Sequence, residues 1–260
     1  MKRFVVFLTV QAILTFCPVA MALILNDGLS HTINTYYHSD LDLDPDNDII
    51  PGTHINLIEG GEFAGAIYLY HHATIDIDGG TVNYGGFHAE GDNIVTIANG
   101  LVKGYSSATS NSTVNILGGD TNHLTLHSNA NLFMHGGSLG AFSNYGNSIV
   151  SVFGGSIEDY LRVGDSGIIY LYGTGFEVNG QTLSYGDHLS DFVPLTEWLE
   201  THYQRTGIIT GTLADGTALN STFSIIYLDG IEVPADIIIV PEPATLLLLG
   251  LGGIVLRRRK

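Results

Sequence analysis

The sequence predicts an all-β fold: a single-chain parallel β-helix of about seven coils of about 19 residues, with a C-terminal cap and a C-terminal hydrophobic helix. Three observations predict it. Glycine corners recur at Gly60, Gly80, Gly100, Gly119, Gly137 and Gly155, with Thr174 in the seventh place, in steps of 20, 20, 19, 18, 18 and 19 residues. A period near twenty marks a solenoid. Five and three residues before each corner stands an apolar pair: Ile55/Leu57, Ile75/Ile77, Val95/Ile97, Val114/Ile116, Leu132/Met134, Val150/Val152 and Ile169/Leu171. Spacing by two puts both members on one face of a strand. One coil of this length is too small to bury a core, so the coils must stack. An antiparallel β-sandwich would also supply strands and glycine turns, but gives no reason for seven copies to keep one register.

Residues 1–22 read as a signal peptide. Lys2 and Arg3 precede an apolar run from Phe4 to Phe16, and Ala20-Met21-Ala22 has the small residues signal peptidase requires, with cleavage expected after Ala22. Bulky Phe16 before Cys17 and Pro18 after it argue against a lipid-modified cysteine. Loss of this segment removes the chain's one cysteine, so no disulfide or thiol chemistry is expected.

Residues 23–54 are expected to form an N-terminal cap with an acidic loop, because a β-helix must cover the open edge of its first coil. Asp40, Asp42, Asp44, Asp46 and Asp48 alternate in the loop and are the candidate ligands for calcium. The spacing is not that of an EF-hand: Pro45 or Asn47 falls where the loop glycine belongs, and no Glu stands at position twelve. A solvated acidic loop is the competing reading.

Residues 55–180 are the coils. The outward position two before each corner runs Ile58, Asp78, Ala98, Leu117, His135, Phe153, Tyr172, and the position four before runs Asn56, Asp76, Thr96, Asn115, Phe133, Ser151, Tyr170. Acidic groups early in the stack give way to aromatics late, and Phe133, Phe153, Tyr170 and Tyr172 are candidates for stacking against a polysaccharide. The alternative is that the C-terminal segment buries this face. Histidines, including His71-His72 and His123/His127, show no zinc spacing and are expected on coil surfaces.

Residues 181–239 break the period and are expected to cap the last coil. Pro194 to His202 is expected to form a short helix with Leu195, Trp198 and Leu199 on one face and Trp198 as the plug. Asp215-Gly216 and Asp229-Gly230 each signal a hairpin.

Residues 240–260 form three blocks. Val240-Pro241-Glu242-Pro243 is stiff and extended, because each proline fixes its own φ and restricts the residue before it. Residues 244–256 carry no charge and are expected to form a membrane-inserted helix, but thirteen residues at about 1.5 Å each reach only about 20 Å of a hydrocarbon core about 30 Å thick. Arg257, Arg258, Arg259 and Lys260 should stay on the cytoplasmic side. The order of these blocks resembles the PEP-CTERM sorting tail. That resemblance implies recognition by an exosortase in the inner membrane of Gram-negative-type bacteria, then delivery to the cell surface or extracellular matrix. Ser112-Thr113-Val114-Asn115-Ile116-Leu117-Gly118-Gly119 and Thr74-Ile75-Asp76-Ile77-Asp78-Gly79-Gly80 likewise resemble the "STVNISGG" coils of exported proteins with such tails. Gly211 to Asn220 is similar to an element those proteins place just before the tail.

Six of the nine basic residues lie in the two targeting segments. Between Leu23 and Val240 only Lys103, Arg162 and Arg205 remain against 25 acidic residues, a net charge of about −22. Such a domain repels nucleic acid and attracts cations. The sequence favours a non-catalytic exported protein with a structural, adhesive or exopolysaccharide-associated role. The alternative is a β-helix polysaccharide lyase or glycoside hydrolase. Neighbours in a strand face opposite ways, so of Asp76/Asp78 and Glu158/Asp159 only the first is expected to make a catalytic pair. Fold alone confers no reaction.

Overall fold

The computed structural model describes residues 22–44, 52–199, 202–228 and 235–242. It is a parallel β-solenoid. In each coil a strand of a first sheet leads through a glycine corner into a strand of a second sheet, and a second corner returns the chain to the next rung.

The first sheet stacks Ser30–Ile33, His54–Ile58, Thr74–Asp78, Ile94–Ile97, Thr113–Ile116, Asn131–Met134, Ile149–Val152 and Ile168–Val178 in parallel. Its register is the sequence period, with Ile55 beside Ile75, Val95, Val114, Leu132, Val150 and Ile169 in successive rungs. All seven apolar pairs are at most 1% exposed. Their stacking into one continuous file is what makes short coils stable, since each strand buries its inner face only against its neighbours.

The two corners solve different steric problems. At the first, Gly119, Gly137 and Gly155 have φ of +71°, +77° and +87°, and a Cβ on each would meet the backbone of the preceding coil at 2.3 to 2.6 Å. Glycine is therefore required twice over, by φ and by close approach. At the second corner a left-handed residue also recurs in every coil: His71, Gly91, Ser110, Ser128, Gly146 and Asp165, four of them at φ between +55° and +60° without being glycine. That column leaves no glycine pattern in the sequence. Main-chain bonds from the residue after a corner to the corner below support it: Asp92 N to His71 O at 2.7 Å, Asn111 N to Gly91 O at 3.1 Å, Asn129 N to Ser110 O at 2.9 Å and Ser166 N to Gly146 O at 3.0 Å.

Of the cap expected over 23–54, the described residues 23–44 add rungs to both sheets: Leu23–Leu25 pairs with Leu41–Leu43, and Ser30–Ile33 with His54–Ile58. At the other end the Asp215-Gly216 hairpin forms as expected, joining His202–Leu213 to Ala218–Leu228. Ala218–Leu228 continues the second sheet by pairing in parallel with Ser156–Gly164, and His202–Leu213 also runs antiparallel to the end of Ile168–Val178. Asp236–Val240 then returns to the first sheet and stacks in parallel on Ile168–Val178, from Ile168↔Asp236 to Tyr172↔Val240.

The expected helix over Pro194–His202 is corrected. Thr196–Leu199 is a strand, antiparallel to His202–Leu213, with the Thr196 hydroxyl donating to the Gln204 carbonyl at 3.0 Å. A nine-residue helix has little intrinsic stability, and the adjacent strand offers a ladder that satisfies the same backbone groups. Trp198 lies in this strand. The one helical turn among the described residues is 3-10, Leu189–Asp191. No helix among them is long and apolar enough to cross a membrane. The apolar helix expected over 244–256, the signal segment through Met21 and the Asp229-Gly230 hairpin lie outside the described residues.

Candidate functional site

The late aromatics gather on the first sheet as expected, but they stack on one another. Register places His135, Phe153 and Tyr172 in one outward file, and rungs about 4.8 Å apart suit ring stacking. The His135 and Phe153 centroids are 4.7 Å apart at 2°, and those of Phe153 and Tyr172 4.2 Å apart at 18°. Phe153 therefore has a ring against each face and presents its edge to solvent. In the neighbouring file Phe133 and Tyr170 are separated by one rung, that of Ser151, which is buried.

The described carboxylates of the acidic loop, Asp40, Asp42 and Asp44, are not gathered on one site. Asp44, at φ +53°, is fully buried, and its carboxylate accepts from the Thr53 main-chain N–H and hydroxyl, each at 2.6 Å. It closes a turn. Asp40 accepts from Ala66 N at 2.7 Å. Burial, and then the charge of Asp40, raise the Asp42 carboxyl above its ordinary range. Asp46 and Asp48 lie outside the described residues. Among those described, no group of three or more His, Cys, Asp or Glu could hold a metal ion.

Asp76 and Asp78 share the outer face of the first sheet as expected. The Asp76 carboxylate lies 3.7 Å from His54 Nε2, and Asp78 accepts from Asn99 Nδ2 at 2.9 Å. The expectation for Glu158/Asp159 is corrected: both are exposed, because a β-bulge sets the two of them opposite Gly140 alone. A bulge breaks the alternation on which opposite faces depend.

A second bulge lies in the same column three rungs earlier, where Lys103 and Gly104 stand opposite Asn122. Between the two bulged strands the chain forms a groove of about 410 Å³, lined by Lys103, Asp120, Asn122, Ser138, Gly140 and Glu158 among others. Ser138 donates to Glu158 Oε1 at 2.8 Å. Beside it runs a tilted aromatic file, with Tyr105 and His123 centroids 4.8 Å apart at 55° and those of His123 and Tyr160 6.4 Å apart at 71°. Burial, and then the Arg162 guanidinium, lower the His123 pKa from its ordinary value, which favours the neutral ring. Neither bulge leaves a sequence signal beyond a coil one residue longer than the two 18-residue coils that lie between them.

The tail is the last feature. Asp236, buried at the start of the final strand, accepts from Ser190 Oγ at 2.7 Å, Ser190 N at 3.2 Å and Ile237 N at 2.8 Å, with His188 Nδ1 at 2.9 Å. The outer edge of that strand is covered: Gly186 N donates to Ile239 O at 2.8 Å, and Ile239 N to Asp187 O at 3.2 Å. Val240 ends the ladder, and Pro241, without an N–H, cannot extend it. Residues 240–260 match the family described as PEP-CTERM protein-sorting motif. The chain carries a PEP-CTERM sorting signal. That signal implies an exosortase-targeted, exported protein. No curated protein and no solved structure matches the chain. The PEP-CTERM motif begins on the last residue of the closing strand, so no linker separates signal from solenoid. Of the residues expected to serve it, Pro243 and Arg257 to Lys260 lie outside the described part, as does Ala20 of the signal-peptidase site, while Ala22 is the first described residue.

Proposed function

We propose that the protein is a non-catalytic component of the cell surface or extracellular matrix. Signal peptidase frees its N-terminus, the short apolar segment over 244–256 holds it transiently in the inner membrane, and exosortase releases it near Pro241–Pro243. The solenoid then serves as a structural or adhesive module associated with exopolysaccharide. The sorting motif at residues 240–260 carries this reading. Three further features support it: two extended sheet faces, a strongly acidic delivered domain, and a closing strand that ends where the signal begins. The lyase or hydrolase alternative has less behind it, since Asp76 and Asp78 are each engaged by a neighbour of their own.

The test is a pull-down of the host's exopolysaccharide by the exported protein, with and without exosortase. Co-purification from wild-type cells supports the reading. A protein that is exported and processed yet recovers no polysaccharide overturns its second half.

A further inference from the structure

We infer that the groove between the two bulged strands of the second sheet is a saccharide-binding site for a neutral glycan chain. The inference rests on the glycan-associated reading above and gives it a location that the stacked aromatics of the first sheet do not.

The geometry is a short trough. Strand Leu101–Ser110 bulges at Lys103-Gly104 and strand Ser156–Gly164 at Glu158-Asp159, in the same column. Strands Asp120–Leu126 and Ser138–Asn144 run between them without a bulge facing each other. Three rungs of about 4.8 Å set the two walls about 14 Å apart. The floor between them is kept low by Gly140, where a Cβ would meet the Asn122 carbonyl oxygen at 2.3 Å. Bulges are a means of re-aiming side chains beside binding sites, and the volume of about 410 Å³ is that of a small-molecule cleft.

The chemistry suits sugar hydroxyls. Lys103 brings a charged donor, Asp120 and Glu158 bring carboxylate acceptors, and Ser138 fixes the Glu158 carboxylate by its hydroxyl. Asn122 spends its amide N–H on Lys103 O at 3.1 Å, which leaves its amide oxygen as an acceptor. Along one side runs the Tyr105–His123–Tyr160 file. Tyr105 is 69% exposed, and its ring is tilted against His123 where Phe153 is sandwiched. A pyranose needs such an open aromatic face on one side and mixed donors and acceptors on the other. Arg162 lies beyond the trough: its guanidinium is 5.0 Å from the Tyr160 ring centre, and it lines a separate cavity with Gln204 and Thr222. Two carboxylates in the trough and a domain charge near −22 oppose an acidic chain, so the ligand class is neutral.

The test titrates the full chain, purified in mild detergent, with neutral gluco-, xylo-, manno- and galacto-oligosaccharides, with oligogalacturonate as the acidic comparison. At least one neutral series should bind. The double variant Tyr105→Ala/Asn122→Ala should weaken that binding by about tenfold or more, with an unchanged thermal midpoint showing that the fold survives. Phe153→Ala/Tyr172→Ala, on the other sheet, should bind as the parent does. Unchanged binding in the groove variant, loss confined to the first-sheet variant, or binding of the acidic series alone overturns the site. If exopolysaccharide is still pulled down when the site is overturned in these ways, the glycan reading stands without it. If neither probe nor exopolysaccharide binds, both fall.

Discussion

Val240, the first residue of the sorting motif, is the register partner of Tyr172 in the last coil of the solenoid. The signal therefore begins on the last residue of the fold's own closing strand. Asp236, Ile237 and Ile239, at most 3% exposed, complete the end of the first sheet, so that strand belongs with the delivered domain.

A cut on the C-terminal side of Val240 should accordingly leave stability untouched. Truncation after Glu242 should keep the thermal midpoint of the full chain, whereas truncation after Ala235 should lower it sharply. Ile237→Ala should cost about 2–4 kcal/mol, read by denaturant unfolding.

Thr121 tests the inner file of the second sheet. Its neighbours in register are Val102 and Leu139, and its buried hydroxyl has no hydrogen-bond partner among the described residues. Thr121→Val keeps the shape and removes the unsatisfied group, so it should raise stability by about 1 kcal/mol. A fall would mean that a water or an undescribed residue satisfies the hydroxyl.

The second corner predicts a contrast at Ser128, φ +60°. Ser128→Val should destabilise by about 1–2 kcal/mol, because a β-branched residue tolerates the left-handed region poorly. Ser128→Gly should be neutral or slightly stabilising, the relief of strain set against the greater freedom of glycine in the unfolded chain. Equal effects would show that the side chain, and not φ, matters there.

Asp215 ties the cap hairpin to the last coils. Burial works against its ionised form, but donors outweigh it: the Thr217 main-chain N–H and hydroxyl at 2.8 and 2.9 Å and the Gly155 N–H at 2.9 Å hold its pKa below the ordinary value. A carboxylate with a lowered folded pKa adds stability that is fully present above its unfolded pKa of about 3.9 and lost as pH falls through the folded value. Stability should therefore decline more steeply on the acid side in the parent than in Asp215→Asn, as read from thermal midpoints between pH 7 and pH 3.

The solenoid was legible because its determinants are local and repeated. Apolar pairs and glycines recur once per coil, and the register of the first sheet is their spacing. The Pro194–His202 segment was misread as a helix because its strand exists only through pairing with His202–Leu213, a contact no local pattern announces. The second corner was invisible for a related reason: backbone bonding between coils, not residue choice, forces His71, Ser110, Ser128 and Asp165 into the left-handed region. The groove was missed because a single inserted residue at Lys103-Gly104 and at Glu158-Asp159 defeats the alternation by which faces are assigned.

Delivery through the PEP-CTERM motif is tested most directly by following the protein in cells with and without exosortase. Pulse-chase with an antibody to the solenoid should show a membrane-held precursor converted to a shorter surface or matrix form in exosortase-positive cells. Loss of exosortase, or Pro241→Ala/Pro243→Ala, should leave the precursor in the membrane fraction. A shortened surface form that persists without exosortase would contradict it.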